Sequence, residues 1–143
     1  MHLSLIFCPI DFSVATASLV AYAAALAAGA KAELRLLHVL KPQPVLATDT
    51  PDVALAAHLA HYRAAAEQAG ARVTTSVLRG EAAPEIVAAA RRHAADLIVI
   101  GAHGQTALTR FLMGSTAEAV VRTAPCATLL VNAQNPGEYR KSA

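Results

Sequence analysis

The chain has 143 residues, of which 55% are hydrophobic and 15% are charged, and its formal net charge is +2. This length fits one domain with a core of its own and leaves no room for a second domain of ordinary size. With so few charges, few aromatic residues and no basic stripe, the composition excludes a nucleic-acid-binding surface and favours a binder of small molecules or proteins.

The two cysteines indicate the compartment rather than a chemical site. Cys8 and Cys126 lie in or beside apolar runs, and they show neither the spacing of metal ligands nor a disulfide framework. We therefore expect a reducing compartment, with both thiols free.

The N-terminal thirty residues carry a single formal charge, Asp11, so a membrane segment has to be considered. A secretory signal begins with a basic segment, whereas this chain has only His2 there. The stretch FSVATASLVAYAAALAAGA is dominated by small residues, which makes it a weak membrane span. We expect no membrane association and a cytoplasmic protein.

The first half of the chain alternates strand-like and helix-like patterns. LSLIFCPI (3–10) is a continuous apolar run, typical of a buried strand, and an Ala-rich helix is predicted from about Val14 to Ala28, ending at Gly29. AELRLLHVL (32–40) predicts a second strand. A proline-rich loop (41–52) follows, and its last residues, TPD, are typical of a helix start. We expect that second helix to end near Gly70.

The second half continues the alternation. RVTTSVL (72–78) alternates in polarity, which indicates a half-exposed strand or a sheet edge. Pro84 opens a predicted third helix that ends near His93. DLIVI (96–100) is the most uniformly apolar strand, as expected for a parallel strand covered on both faces. After a loop, a short helix (115–122) and a last strand, CATLLVN (126–132), complete the pattern.

The order β-α-β-α-β-α-β-loop-α-β predicts an α/β fold, with right-handed crossovers and an open, mostly parallel five-stranded sheet with helices on both faces. We expect one domain over residues 1–133. Residues 134–143 show no periodicity, so we expect a loose C-terminal tail.

Ligands of such sheets bind at the carboxyl ends of the strands, where the strand order reverses. Two segments lie at strand ends: Pro9 to Ser13, and the loop GAHGQTALTRFLMGST (101–116). The loop reads glycine, two residues, glycine, nine residues, glycine, then Ser115 and Thr116 at a helix start. Free amides at a helix N-terminus form a phosphate site, and glycines allow close approach.

Two better-known phosphate motifs do not fit this loop. It lacks the lysine of a P-loop, and it follows the fourth strand rather than the first, unlike the Rossmann fingerprint. A purely structural interpretation therefore stays open, in which Gly101 and Gly104 permit a tight turn and Gly114 or Ser115 caps a helix.

Four segments together resemble the universal stress protein family: IFCPIDFS, DLIVIGAHG, RFLMGSTAEAVV and APCATLLV. The similarity covers nearly the whole chain, and the family's ATP-binding signature, G-2x-G-9x-G-S/T, is matched without a gap. The resemblance implies a Rossmann-like fold of the adenine nucleotide alpha hydrolase-like type and ATP as the ligand, with any Mg²⁺ held mainly by the phosphates. It also implies a homodimer formed through the last strand and a regulatory protein partner that the sequence does not identify.

The resemblance also implies the residues of the site. Asp11 matches the acidic residue at the nucleotide pocket, and Pro9 lines that pocket; alone, Asp11 reads as a carboxylate near a helix N-terminus. Val39 matches a position whose backbone contacts adenine in the family. Without the resemblance, the sequence predicts only that Val39 belongs to the core. The remaining implied residues contact ribose and phosphates: Gly101, Gly104, Gly114, Ser115 and Thr116.

Four further residues qualify this interpretation. His103 has no sequence neighbour that would make it a general base, so we place it in the site as a residue that makes one hydrogen bond. Arg110 is either a phosphate ligand or a solvated residue, and it is left out of the site. Ala107 and Ala127 depart from many relatives, which have glycine and proline there; the first departure concerns nucleotide affinity and the second the dimer strand.

We therefore expect an ATP-holding stress-response module without catalytic residues. The rival is a slow ATPase or a nucleotidyl transferase, which needs metal-holding carboxylates or an activated water, but the loop from 101 to 116 contains no acid. An interaction protein that no longer binds nucleotide would be expected to have a broken glycine spacing. A flavin binder would be expected to have a hydroxyl-rich loop after the first strand.

Overall fold

The computed structural model describes residues 2–42, 53–103 and 113–132. In chain order, its elements are β1 (Leu5–Pro9), α1 (Thr16–Ala30), β2 (Glu33–Leu40), α2 (Val53–Gln68), β3 (Arg72–Arg79), α3 (Ala82–Arg92), β4 (Leu97–Gly101), α4 (Ser115–Thr123) and β5 (Ala127–Val131).

The strands form one parallel sheet in the order β3-β2-β1-β4-β5, which confirms the predicted α/β architecture. β1 is central: Ile6 pairs with Leu34 of β2 on one side and with Leu97 of β4 on the other. The side chains of β1 and β4 are buried on both faces of the sheet, and this explains why the two sequences are apolar runs. The alternating β3 lies at an edge of the sheet, as its pattern predicted.

Helices cover both faces of the sheet, and each face has its own core. Ile6 and Cys8 of β1 belong to a cluster with residues of α1 and α2, whereas Phe7 belongs to a second cluster with residues of α3 and α4. All three side chains are completely buried. Buried alanines allow α1 to pack closely on the sheet: Ala23, Ala24 and Ala27.

Two helix boundaries differ from the sequence prediction. Gly29 does not end α1; the helix continues to Ala30, and Lys31 takes the left-handed conformation (φ 57°), with its N–H donating to the Ala27 and Ala28 carbonyls. A residue other than glycine can occupy this position at a modest cost. Pro84 does not open α3 but is its third residue, within the first turn, where the missing N–H breaks no helical hydrogen bond.

Several expectations fall outside the described residues. These are the proline-rich loop with the start of the second helix, the middle of the glycine-rich loop and the C-terminal tail. Within the part of the chain that is described, no helix combines the length and the apolar character that crossing a membrane requires.

Candidate functional site

The strand order reverses between β1 and β4. From β1 the chain moves outward through β2 to β3, and it then returns to the other side of β1 to build β4 and β5. Loops that leave neighbouring strands in opposite directions open a crevice between them at the carboxyl end of the sheet. The two segments singled out in the sequence, which follow Pro9 and begin at Gly101, start at this crevice.

On the β1 side, the chain turns immediately after the strand. Pro9 is buried, and the next residue, Ile10, donates its N–H to the Leu37 carbonyl at 2.7 Å. Asp11 Oδ1 accepts hydrogen bonds from the Ser13 N–H (3.0 Å) and from the Thr16 hydroxyl (3.4 Å). The carboxylate is thus held at the start of α1. This placement agrees both with a residue of the nucleotide pocket and with a carboxylate that only stabilises the N-terminus of the helix.

Phe12, which sequence reasoning missed, completes this turn. Its φ of 60° is in the left-handed region, which costs a residue with a side chain ~1–2 kcal/mol. Its ring lies against those of His38 (4.5 Å between centroids), His58 (5.1 Å) and Tyr62 (6.1 Å). This ring cluster joins the turn to β2 and α2 and offsets the backbone strain.

On the β4 side, backbone hydrogen bonds fix where the glycine-rich loop leaves and returns. The Ala102 N–H donates to the Val131 carbonyl of β5 at 3.0 Å, and the Ala102 carbonyl accepts from the Gly114 N–H at 2.6 Å. The structure thus brings together Gly101, His103 and Gly114, which the sequence separates by up to thirteen positions. Gly104 lies outside the described residues, as do Ala107 and Arg110.

The start of α4 is open to an anion. Gly114 is its N-cap residue, in extended conformation, and no side chain of the described residues caps the helix. The Gly114 N–H is already bonded to Ala102, so the amides that can face a ligand belong to Ser115, Thr116 and the next residue. These amides and the helix dipole favour negative charge at this end.

One buried polar atom near the crevice lacks a partner. His103 Nδ1 is inaccessible to solvent and has no hydrogen-bond partner among the described residues. An unsatisfied buried nitrogen costs free energy, so such an atom requires an explanation. A hydrogen bond from His103 Nδ1 to a ligand would be such an explanation. It agrees with the sequence analysis, which placed His103 in the site as a residue that makes one hydrogen bond.

Val39 lies at the same end of the sheet, but its side chain belongs to the core. It is two residues beyond Leu37, the register partner of Pro9, and it is paired with Leu78 of β3. The side chain is partly buried against the cluster on the α3 and α4 face. Only its backbone is therefore relevant to a ligand.

The titratable groups with perturbed pKa values give no nucleophile at this site. Burial raises the pKa of Cys8, directly before Pro9, to about 12, so Cys8 stays a thiol at neutral pH. The lowered pKa of Asp96 results mainly from a backbone hydrogen bond donated by Ser4, at the opposite end of the sheet. Across residues 2–42, 53–103 and 113–132, no three potential metal-binding side chains cluster.

A model of the universal stress protein family matches residues 4–132 of this chain. The chain belongs to the universal stress protein family. Among curated relatives, it is 47% identical over 66 residues to universal stress protein MJ0531 of Methanocaldococcus jannaschii. The matched stretch covers 46% of this chain and 39% of that protein. A putative universal stress protein of Staphylococcus epidermidis is 47% identical over 49 residues, 34% of this chain and 30% of that protein. These matches span well under half of either relative.

Solved structures of universal stress proteins agree over the whole domain. UspA from Lactobacillus plantarum superimposes with a TM-score of 0.71 at 28% identity, covering 92% of this chain and 99% of that one. A universal stress protein in complex with cAMP has a TM-score of 0.77 at 23% identity, covering 94% of this chain and 100% of that one. The universal stress protein from Archaeoglobus fulgidus in complex with dAMP has a TM-score of 0.74 at 23% identity, covering 92% of this chain and 100% of that one. At 23% identity, the last two likenesses show the fold alone.

Proposed function

We propose that this universal stress protein binds an adenine nucleotide, with ATP as the first choice, in the crevice between β1 and β4. The observation that carries the proposal is the convergence of three features at the strand-order reversal: the turn with Asp11, the backbone at Gly101 and the start of α4, which has no side-chain cap within residues 2–42, 53–103 and 113–132. The fold-level likeness to proteins solved with cAMP and dAMP supports an adenine ring as the ligand's base.

Within this proposal, each residue has a role suited to its surroundings. Pro9 and the Val39 backbone line the base side, and Asp11 lies at the edge of the pocket. Gly101 and Gly104 allow the ribose and phosphates to approach the main chain. The phosphate chain is held by the start of α4, through the amides of Ser115 and Thr116, and Gly114, whose N–H is bonded to Ala102, allows its close approach; His103 Nδ1 makes one hydrogen bond to the ligand.

We further propose that the nucleotide is held rather than consumed. The loop from residue 101 to 116 contains no acid, and Glu118 in the first turn of α4 pairs with Arg122 at 2.9 Å. Any Mg²⁺ is held mainly by the phosphates. Hydrolysis is then slow at most, and a turnover on the order of several per second would instead support the rival ATPase or transferase function.

The partners proposed are a second copy of the chain and a regulatory protein in the cytoplasm. β5 is the edge strand next to β4, and four of its five residues, Thr128 to Val131, are only partly buried. An edge strand of this kind can pair with its equivalent in another copy. Sedimentation velocity at tens of micromolar tests the dimer, and a monomer there would remove it from the proposal.

The nucleotide itself is tested in two steps. Ultraviolet spectroscopy and mass spectrometry of purified, denatured protein identify any co-purified nucleotide, and calorimetry of the nucleotide-free protein with ATP, AMP and cAMP gives the order of affinities. The proposal predicts one-to-one binding of ATP. No heat with any of the three nucleotides, for a protein that is folded by circular dichroism, would overturn it.

A further inference from the structure

We propose that His38 is a positioning residue for Asp11: one side chain holds the residues on both sides of Asp11 and thereby sets where its carboxylate points. The inference rests on the proposed nucleotide site, because it concerns how that site is built. Neither the sequence pattern nor the resemblance assigns His38 a role.

The first contact holds the residue before Asp11. His38 Nδ1 lies 2.9 Å from the Ile10 carbonyl oxygen. A carbonyl oxygen only accepts hydrogen bonds, so Nδ1 carries the proton and donates it. Ile10 also donates its N–H to Leu37, the residue before His38. Both polar backbone groups of Ile10 are therefore tied to consecutive residues of β2, at the point where β1 ends.

The second contact holds the residue after Asp11. The Phe12 ring lies 4.5 Å from the His38 ring, between centroids, at an angle of 36°. The backbone of Phe12 is in the left-handed region, which a phenylalanine leaves unless packing retains it. His58 and Tyr62 of α2 also lie near this ring, with centroid distances of 5.1 Å and 6.1 Å. His38 is thus the residue of β2 against which the Phe12 ring packs.

These two contacts determine the conformation of Asp11. With Ile10 and Phe12 held, the chain turns so that Asp11 Oδ1 meets the Ser13 N–H at 3.0 Å. Without the His38 imidazole, the Ile10 carbonyl loses its hydrogen-bond donor and the Phe12 ring loses one of the rings that it packs against. The turn then has more conformations available, and nucleotide affinity falls because the site must be ordered on binding.

The test compares two substitutions of His38. In His38→Asn, the side-chain amide can place an N–H near the position of Nδ1, whereas His38→Leu fills a similar volume without a donor. Calorimetry with ATP should show a roughly 3- to 10-fold weaker affinity for His38→Leu, the range expected for one lost hydrogen bond. His38→Asn should recover most of this loss. Leu34→Val, in the same strand but near the amino end of the sheet, controls for a general loss of stability.

A double-mutant cycle distinguishes action through Asp11 from a separate effect. If His38 acts by positioning Asp11, adding His38→Leu to Asp11→Ala should weaken ATP binding no further than Asp11→Ala alone does. Full additivity of the two losses would contradict the proposal. So would equal affinities of His38→Leu and the parent protein.

A second measurement needs no nucleotide. Amide hydrogen exchange of Ser13 reports its bond to Asp11 in the free protein, and His38→Leu should lower that protection by about tenfold while His38→Asn preserves it. Unchanged protection in His38→Leu would overturn the inference even if ATP binds. A parent protein that binds no nucleotide, yet shows the expected exchange pattern, would overturn the proposed function and leave the positioning of Asp11 by His38 in place.

Discussion

The substitution Gly101→Ala separates nucleotide binding from folding, because the described residues around Gly101 leave room for the added methyl group. A Cβ atom at Gly101 would lie 3.6 Å from the His103 carbonyl oxygen and 3.8 Å from Leu19 Cδ2. Both are ordinary van der Waals contacts, and the backbone of Gly101 is outside the left-handed region. We expect the free energy of unfolding to fall by no more than about 0.5 kcal/mol and to rise by no more than ~1 kcal/mol. A rise would come from the unfolded chain, which alanine makes stiffer than glycine does.

The effect on ATP should be much larger. In the proposed site the nucleotide lies against the main chain at Gly101, so a methyl group there displaces it from the backbone it contacts. We expect a loss of about tenfold or more in affinity, which corresponds to ~1.4 kcal/mol. Calorimetry gives the affinity, and urea unfolding monitored by circular dichroism gives the stability of the same preparation.

Gly29→Ala is the matched control. Gly29 lies within α1 near its C-terminal end, away from the crevice, and a Cβ there would have no contact within 4 Å in the part of the chain that the structure describes. Alanine should stabilise the helix by about 0.5–1 kcal/mol and leave ATP affinity unchanged. If Gly101→Ala binds ATP as tightly as the parent protein and keeps its stability, the nucleotide does not contact this part of the main chain.

Three further predictions concern stability and reactivity. Gly80→Ala should destabilise the protein by at least ~1 kcal/mol in urea unfolding, because φ is 139° and the new Cβ would lie 2.8 Å from Glu85 Cγ; an unchanged midpoint would contradict this. Asp96→Asn should lower stability at neutral pH and lose its effect in acid, since backbone hydrogen bonds at and just before the start of β1 lower the pKa of Asp96. A group with a lowered pKa stabilises the fold above its unfolded pKa, and this stabilisation is lost as the pH falls through the folded pKa; a difference between the two proteins that did not depend on pH would exclude this. Iodoacetamide should modify the partly exposed Cys126 slowly in the native protein, because burial and Asp96 raise the pKa of Cys126, and should modify the buried Cys8, whose pKa burial raises to about 12, only after unfolding; labelling of Cys8 before Cys126 in peptide mass spectrometry would refute this.

The sheet was predictable from the sequence because burial on both faces leaves a clear pattern. LSLIFCPI and DLIVI are apolar runs because the side chains of β1 and β4 are buried on both faces of the sheet, and the alternation of RVTTSVL reflects the edge position of β3. Helix ends were less predictable. Gly29 looked like a helix terminus, but the helix continues to Ala30 and Lys31 takes the left-handed position, with its N–H donating to the Ala27 and Ala28 carbonyls.

The arrangement around Asp11 could be predicted only in part. Sequence position and the family resemblance pointed to Asp11, and the structure places it at the strand-order reversal. The contacts of Phe12 and His38 depend on a left-handed backbone and on a ring contact between residues 26 positions apart, which no local pattern reveals. One signal was present: His38 is the polar residue that follows Leu34 and Leu36 on one face of β2.

The most direct test of a nucleotide site at the crevice is a titration of ¹⁵N-labelled protein with ATP, followed through the backbone amide signals. We predict shifts that saturate at one ATP per chain and concentrate at residues 10–13, 101–103 and 114–116, with little change at Asp96 or Lys31 at the other end of the sheet. Saturable shifts centred on that other end, or no shifts in a folded protein at millimolar ATP, would contradict it.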